Sequence, residues 1–424
     1  MLFPPSCFLA VLAVLISGAV AAPIAVPVAP TAMAEADMIH PAPKIEWETS
    51  AELPPRPGMD NAEGLAGVFA GAQGDVLLIA GGTNYAGFDF TKGPQRAWWA
   101  DIYVLQRRYT PEQKTAYEWL PAGAELPNNL AYGASASTPG GVLCIGGAEM
   151  EKVTDACFLM KWNPESKKVE FEDYPKLPKP LACAAAVRIG TTVYVIGGTG
   201  TMPAGRATNT FLALDLSKKG DEKNFVWKAL PAWDGPGRIF PIAAASLENG
   251  AESIYLCGGR DPGNAPDFLT DLHKFNPVKK DWAILGDIID PQGHPSSVMA
   301  APAFHVPPHH LVVVSGTDQE LVKMMENNTR KMEATGATEE RERERYNKLL
   351  LENYPGYTRS VMAYDAEVGE WSNLSSFPGK PCLTTPTVNW DGAIIIPGGE
   401  TGPGKRSPLI WQAIVRKKAA VVEE

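Results

Sequence analysis

The 424-residue sequence is short of basic charge and of histidine, and it lacks any closely paired cysteines. Thirty-eight Lys and Arg against 48 Asp and Glu leave a formal charge of −10 at pH 7, which argues against nucleic acid as a partner. Past the N-terminal leader, no run approaches the ~18 apolar residues of a membrane span. Five cysteines follow that leader, an odd number with no CxxC, so neither a disulfide framework nor a zinc site is indicated. Cys144 and Cys257 lie in apolar runs at or just before Gly-Gly and read as small buried hydrophobes. Only six histidines are present, and none forms an obvious pair with the tyrosines a copper radical oxidase would need. His305, His309 and His310 are close in sequence, but Pro307-Pro308 prevents a shared helical face, so no metal site is expected. No cofactor is implied either.

Residues 1–22 read as a secretory signal. Phe8 to Ile16 is an apolar core, and Ala19-Val20-Ala21 supplies the small side chains of a cleavage site, although no Lys or Arg precedes them. Cys7 lies on the wrong side of that core for lipid attachment. An Ala/Pro-rich linker over 23–43 follows. The mature chain is therefore expected to be periplasmic or secreted, with no membrane anchor.

What is plentiful is turn chemistry. Forty Gly and 38 Pro make about 18% of the chain, against roughly 12% in an average protein. Gly reaches positive φ and Pro presets turn geometry, so many tight turns are expected. The glycines are also ordered. Short apolar runs end in a doublet at Gly81-Gly82, Gly146-Gly147, Gly197-Gly198, Gly258-Gly259 and Gly398-Gly399, with Ser315-Gly316 as a degenerate fifth copy in chain order. Each run is too short for a helix and rich in β-branched residues, which predicts a buried strand. A glycine doublet after a strand, with a period near ~50 residues, is the kelch propeller signature.

The rest of each unit repeats too. An alternating strand follows the doublet, as at Asp101–Val104, Thr210–Leu214, Asp271–Phe275 and Val361–Tyr364. An outer strand then carries an aromatic and an apolar-Pro pair: Trp119 with Leu126-Pro127, Phe171 with Leu177-Pro178, Trp227 with Leu230-Pro231, Trp371 with Phe377-Pro378. Unit four has Trp282 without a clear apolar-Pro pair. The sixth doublet has no outer strand after it, whereas an orphan copy, Trp47 with Leu53-Pro54, precedes the first. The reading is an all-β chain, one six-bladed kelch β-propeller over 44–418, closed by an N-terminal outer strand near Ile45–Ala51. Closure hides the sheet edges that invite aggregation. A mixed-charge segment over 319–352 is expected as a helical insertion in blade five.

Strand antiparallelism puts the doublet loops and the blade-to-blade connections on one rim, where a site is expected. The most specific cluster there is Gly398-Gly399-Glu400-Thr401-Gly402-Pro403-Gly404-Lys405-Arg406. Glu400 can exchange protons, and Arg406 stays cationic and forks onto a carboxylate. By spacing alone the two also fit a mutual surface ion pair.

The chain resembles the cyclically permuted mutarotases of the N-acetylneuraminate epimerase type. The resemblance runs over most of 45–415 and rests on Gly64–Gly71, Ala80–Tyr85, Asp101-Ile102-Tyr103, Ala131-Tyr132-Gly133, Asp271–Pro277, the fifth-unit insertion and the Glu400–Arg406 loop. It differs at Leu130, where relatives often have Arg, and at Ser315-Gly316. The resemblance implies an isomerase that opens and recloses a sugar ring by acid–base catalysis, with Glu400 and Arg406 as catalytic residues. Glu400 would shuttle the proton and Arg406 would hold the carboxylate of a sialic acid. Asn84 and Arg238 are further expected to bind a small, acidic sugar. The competing reading is a non-catalytic kelch propeller that binds a glycan or a protein partner.

Overall fold

The computed structural model describes residues 42–416 except 57, 86–95, 113–114, 203, 249–250, 265–266, 317–318, 320–322 and 324–355. The signal, nearly all of the linker and nearly all of the expected helical insertion fall outside the described residues.

Six four-stranded antiparallel sheets are present, as in a six-bladed propeller. From axis to periphery, blade 1 consists of Phe69–Gln73, Val76–Ala80, Ile102–Tyr109 and Thr115–Leu120. Blades 2 to 5 repeat this order and begin at Ala134–Thr138, Ala185–Ile189, Ile242–Glu248 and Ala303–Val306. Blade 6 takes three strands from the end of the chain, Val388–Trp390, Ala393–Gly402 and Lys405–Arg416, and its outermost strand, Lys44–Glu52, from the beginning. Trp47 stands opposite Ala413 in that last pairing.

The residue chemistry of each strand follows its radius. Innermost strands such as Ala-Ser-Ala-Ser-Thr at 134–138 are built from small side chains, because the blades converge at the axis. Second strands such as Val76–Ala80 are wholly buried, since both faces of the blade pack on neighbours. Each gap between blades holds its own apolar core. Across the seam between blades 6 and 1 this is Val68, Leu77, Ile79, Tyr103, Trp390 and Ile395. Fully burying one such aliphatic side chain is worth about 1.5–3 kcal/mol, so this packing holds the closing gap together.

Three sets of hydrogen bonds bind blade to blade. At the periphery, the indole N–H of the outer-strand Trp donates to a main-chain carbonyl of the preceding blade: Trp119 to Glu52, Trp227 to Pro175, Trp282 to Pro231 and Trp371 to Asp287, at 2.8–3.0 Å. On the rim, the N–H of the second doublet glycine donates to the carbonyl leading into the next blade: Gly82 to Leu130, Gly147 to Leu181, Gly198 to Arg238, Gly259 to Val298 and Gly399 to Leu65, at 2.7–2.9 Å. At the axis, the amides of Gly67, Tyr132, Cys183, Phe240, Ala300 and Thr384 bond head to tail at 2.7–2.9 Å, and Gly67 donates back to Thr384. All six of these residues have positive φ.

Unit four has no apolar-Pro pair, yet the position is filled. Ile288 is fully buried there and its N–H donates to the Thr270 carbonyl, as the Leu126 N–H does to Ala100 in blade 1. Burial makes the cysteines inert: Cys144, Cys157, Cys183, Cys257 and Cys382 are all free and buried, and the last four thiols are pushed up to about 12.

Arg238, expected from sequence as a sugar ligand, has its main chain on the rim and its side chain engaged within the fold. Its side chain is 0% exposed and donates to both carboxylate oxygens of Asp271, at 2.9 and 2.7 Å, and to the Gly258 carbonyl at 3.0 Å. His273 Nε2 lies 2.6 Å from the same carboxylate. A buried guanidinium needs this compensation, so Arg238 joins blades 3 and 4. Burial alone would raise the Asp271 carboxyl, but the bonds from His273 and Arg238 outweigh it and hold it well below the usual carboxylate range.

Two stability predictions follow from these contacts. A Cβ at Gly198 (φ +99°) would lie 2.7 Å from the Ala182 carbonyl oxygen, whereas one at Gly190 (φ +54°) meets nothing within 4 Å. Gly198→Ala should therefore cost roughly 2–3 kcal/mol and Gly190→Ala nearer 1 kcal/mol, as read by chemical denaturation. Asp271→Ala, which strands the Arg238 charge, should cost on the order of 3 kcal/mol. Because the folded Asp271 carboxyl titrates below its unfolded value near ~3.9, its contribution is complete above that pH and is lost as the pH falls. Acid unfolding below about pH 4 should thus be shallower in the variant than in the parent chain; equal slopes would show that the carboxylate is not coupled to folding.

Candidate functional site

The axial ring of amides divides the space along the propeller axis. On one side lies a channel of 790 Å3 lined by the innermost strands. On the doublet rim lies a smaller cavity of 260 Å3, and Tyr132, Phe240, Ala300 and Thr384 border both.

Two hairpins from neighbouring blades build the polar wall of the rim cavity. In blade 6 the second and third strands run on past the doublet, with irregularities at Pro397/Gly399 and Glu400/Gly402, and place Glu400 directly opposite Arg406. In blade 1 the doublet leads into Thr83–Tyr85, which pairs with Arg96–Trp98 so that Tyr85 faces Arg96 and Thr83 faces Trp98. Gly64, in the segment leading into blade 1, passes close against the blade 6 hairpin. A side chain there would collide with the main chain of Arg406 and Ser407.

Glu400 and Arg406 form an ion pair, Nη2 to Oε2, of 3.1 Å. The pairing admitted from spacing alone is therefore real, but it is not a surface pair: the Arg406 side chain is 3% exposed and that of Glu400 24%. Arg406 also donates from Nη1 to the carbonyls of Lys405 (3.0 Å) and Gly402 (3.4 Å). Its guanidinium carbon lies 5.2 Å from the centre of the Tyr85 ring. Glu400 lines the cavity, and it is the only carboxylate among the described residues that do so.

Arg96, Trp98 and Tyr132 complete the polar side. Arg96 Nη2 donates to the Tyr85 hydroxyl at 2.8 Å, and its guanidinium lies 5.4–5.8 Å from the ring centres of Tyr85, Trp98 and Tyr132. Burial opposes the Arg96 charge, but interactions with Tyr132, Tyr85 and Glu400 outweigh it and raise its pKa, so it is a cation at any working pH. Burial foremost pushes the Tyr132 phenol up, against the pull of Arg96 and Arg406, and its hydroxyl shares a hydrogen bond of 2.9 Å with Thr83. The remaining wall is mostly apolar, with Met150, Met202, Met299 and Phe240, and also includes Tyr357 and Thr384. This combination, one carboxylate and fixed cations beside an apolar wall, can move a proton on a bound molecule and hold an anionic group.

The Asn84 amide is engaged within the fold. Its Nδ2 donates to Glu63 at 3.1 Å and its Oδ1 accepts from the Trp99 indole at 2.8 Å, while Arg56 pairs with Glu63 and stacks 3.3 Å over Trp99. Asn84 thus supports the base of the blade 1 hairpin. Sequence reasoning gave no role to Arg96, Tyr132 or the three methionines. The available signal was position: Arg96 lies in a doublet loop, as Glu400 and Arg406 do, and Tyr132 is the axial residue of Ala131-Tyr132-Gly133.

Comparison with known proteins gives a concordant picture. The family profile described as N-acetylneuraminate epimerase matches residues 14–169 and 174–423. Curated N-acetylneuraminate epimerases are similar over parts of the chain. That of Brucella melitensis biotype 1 is 34% identical over 134 residues, 29% of this chain and 32% of the relative. That of Pasteurella multocida is 27% identical over 241 residues, 55% of this chain and 57% of the relative. That of Vibrio vulnificus is 34% identical over 115 residues, 25% and 27%. The alignments span about a quarter to just over half the length of these relatives. With the profile covering nearly the whole propeller and the fold it implies in place, the chain belongs to the N-acetylneuraminate epimerase family.

Proposed function

We propose that the protein is a sugar mutarotase that accelerates anomer exchange of N-acetylneuraminate or a closely related acidic sugar. The observation that carries this reading is the placement of Glu400 in the rim cavity, fixed by Arg406 from the facing strand at 3.1 Å. The name shared by the curated relatives supplies the substrate class.

Anomer exchange needs the ring to open and reclose. Glu400, directly or through one water, takes the proton of the anomeric hydroxyl as its electrons form the carbonyl. The bond from the anomeric carbon to the ring oxygen breaks, and the ring oxygen takes a proton from water. After rotation of the open chain the steps reverse, with protonated Glu400 returning its proton to the carbonyl oxygen as the ring closes on the other face. General acid–base help of this kind contributes about 10²–10⁴-fold. Arg406 acts on Glu400 rather than on the sugar: its side chain is 3% exposed, its Nη2 pairs with that carboxylate and its Nη1 donates to two carbonyls. Held by a guanidinium and by strand pairing, the carboxylate keeps one direction and does not need to be ordered when the sugar binds.

Relaxation of freshly dissolved N-acetylneuraminate anomers, followed by NMR, tests the reading. The parent chain should speed equilibration, and Glu400→Gln should slow the catalysed rate by at least ~10²-fold while sugar binding stays within a few-fold. An unchanged exchange rate in Glu400→Gln would remove Glu400 from the mechanism. Acceleration by neither protein, with binding intact, would instead favour the non-catalytic glycan-binding reading.

A further inference from the structure

Two arginines stand near Glu400, and they are not equivalent. Arg406 is 3% exposed; its Nη2 pairs with Glu400, its Nη1 donates to the Gly402 and Lys405 carbonyls, and its Nε is buried without an acceptor among the described residues. Arg96 lines the cavity, yet it makes only one hydrogen bond among the described residues, to the neutral Tyr85 hydroxyl, and no ion pair with a carboxylate. Its position is set instead by rings: Tyr85, Trp98 and Tyr132 surround the guanidinium at 5.4–5.8 Å. Cation–π contact holds an arginine by its face and leaves the in-plane N–H donors for another group. An arginine so placed in a half-buried cavity, with most of its donors unspent, is matched to a bidentate carboxylate. Beside it, the Trp98 indole N–H is buried with no acceptor among the described residues.

We infer that Arg96, and not Arg406, binds the carboxylate of the sugar and so selects an acidic over a neutral substrate. The inference rests on the reading of the rim cavity as a site of anomer exchange. In a 2-keto sugar acid the carboxylate is attached to the anomeric carbon, so the residue that binds it must lie close to the proton shuttle. Arg96 satisfies this, since it lines the same cavity as Glu400 and is near enough to feel its charge. A neutral sugar would leave the Arg96 donors desolvated and unmatched, and a site built to bond a polar group discriminates strongly against analogues that lack it. The opposite wall, with Met150, Met202 and Met299, makes no such demand and accepts apolar substituents of varied shape.

The test compares N-acetylneuraminate with its methyl ester, which keeps the ring and loses the charge. Anomer exchange and binding are measured by NMR for the parent chain, Arg96→Gln and Arg96→Lys. Arg96→Gln should weaken use of the free acid roughly 10- to 100-fold, mainly through KM, and change the ester by less than about threefold. Arg96→Lys, which restores the charge without the fork, should recover part of the loss for the acid alone. Equal losses for acid and ester, or an unchanged KM for the acid, would overturn the assignment. Binding keeps this distinct from the catalytic reading. If the parent chain binds N-acetylneuraminate without accelerating exchange, loss of that binding in Arg96→Gln still supports the carboxylate site while the mutarotase reading fails. If the parent chain neither binds nor exchanges the acid, both fail.

Discussion

A closed ring of six main-chain hydrogen bonds at the axis, each 2.7–2.9 Å, is the constraint on which the remaining structure depends. Every blade contributes one residue to it, and every such residue takes positive φ. Only Gly67 does so without steric cost. Tyr132, Cys183, Phe240, Ala300 and Thr384 each forgo about 1 kcal/mol or more, which the surrounding packing must offset. The turn of the chain at five of these residues sets the preceding one opposite the residue after a doublet: Ala66 pairs with Thr83, Ala131 with Ala148, Ala182 with Thr199, Ile239 with Arg260 and Leu383 with Glu400. The geometry that closes the channel is therefore the geometry that fixes where each rim loop starts.

The site follows from that arrangement at the seam. Because Lys44–Glu52 completes blade 6, the first and last doublet loops of the chain become neighbours, and residues more than 300 positions apart share one cavity. The blade 1 hairpin brings Tyr85, Arg96 and Trp98, and the blade 6 hairpin brings Glu400 and Arg406. Tyr85 joins them, since its ring lies 5.2 Å from the Arg406 guanidinium carbon and its hydroxyl accepts from Arg96. Burial then separates the roles of the charges. Arg238 with Asp271 and Arg56 with Glu63 neutralise each other within the structure, and Glu400 with Arg96 faces the cavity.

That division was partly hidden from sequence reasoning. Glu400 and Arg406 could be singled out because six residues of Gly- and Pro-rich hairpin keep them together wherever the hairpin goes. Arg238 and Asn84 look equally suited to a ligand, since both are polar residues beside a doublet loop or a blade connection. Their partners within the fold are remote or ambiguous in sequence: Asp271 lies 33 residues from Arg238, and Glu63 lies 21 from Asn84. The outer-strand tryptophans show the opposite case. Their spacing announced both the strand and the seam: in blades 1, 3, 4 and 5 the indole reaches a carbonyl of the preceding blade, and at the seam Trp47 packs edge-on against Phe377 with ring centres 4.8 Å apart.

Local chemistry and periodicity carry the number of blades, the strand before each doublet, the rim on which the doublets open, and the N-terminal strand that matches the one missing at the end. These are short-range demands for β-branched runs, positive φ and a fixed interval, and they are written residue by residue. Which cation meets which carboxylate is settled in three dimensions, since it depends on the relative position of hairpins from different blades and on the burial they impose. Arg96 and Arg406 are the same residue type on the same rim. One is enclosed by its own hairpin and the other is left facing the cavity, and that difference exists only once the ring has closed.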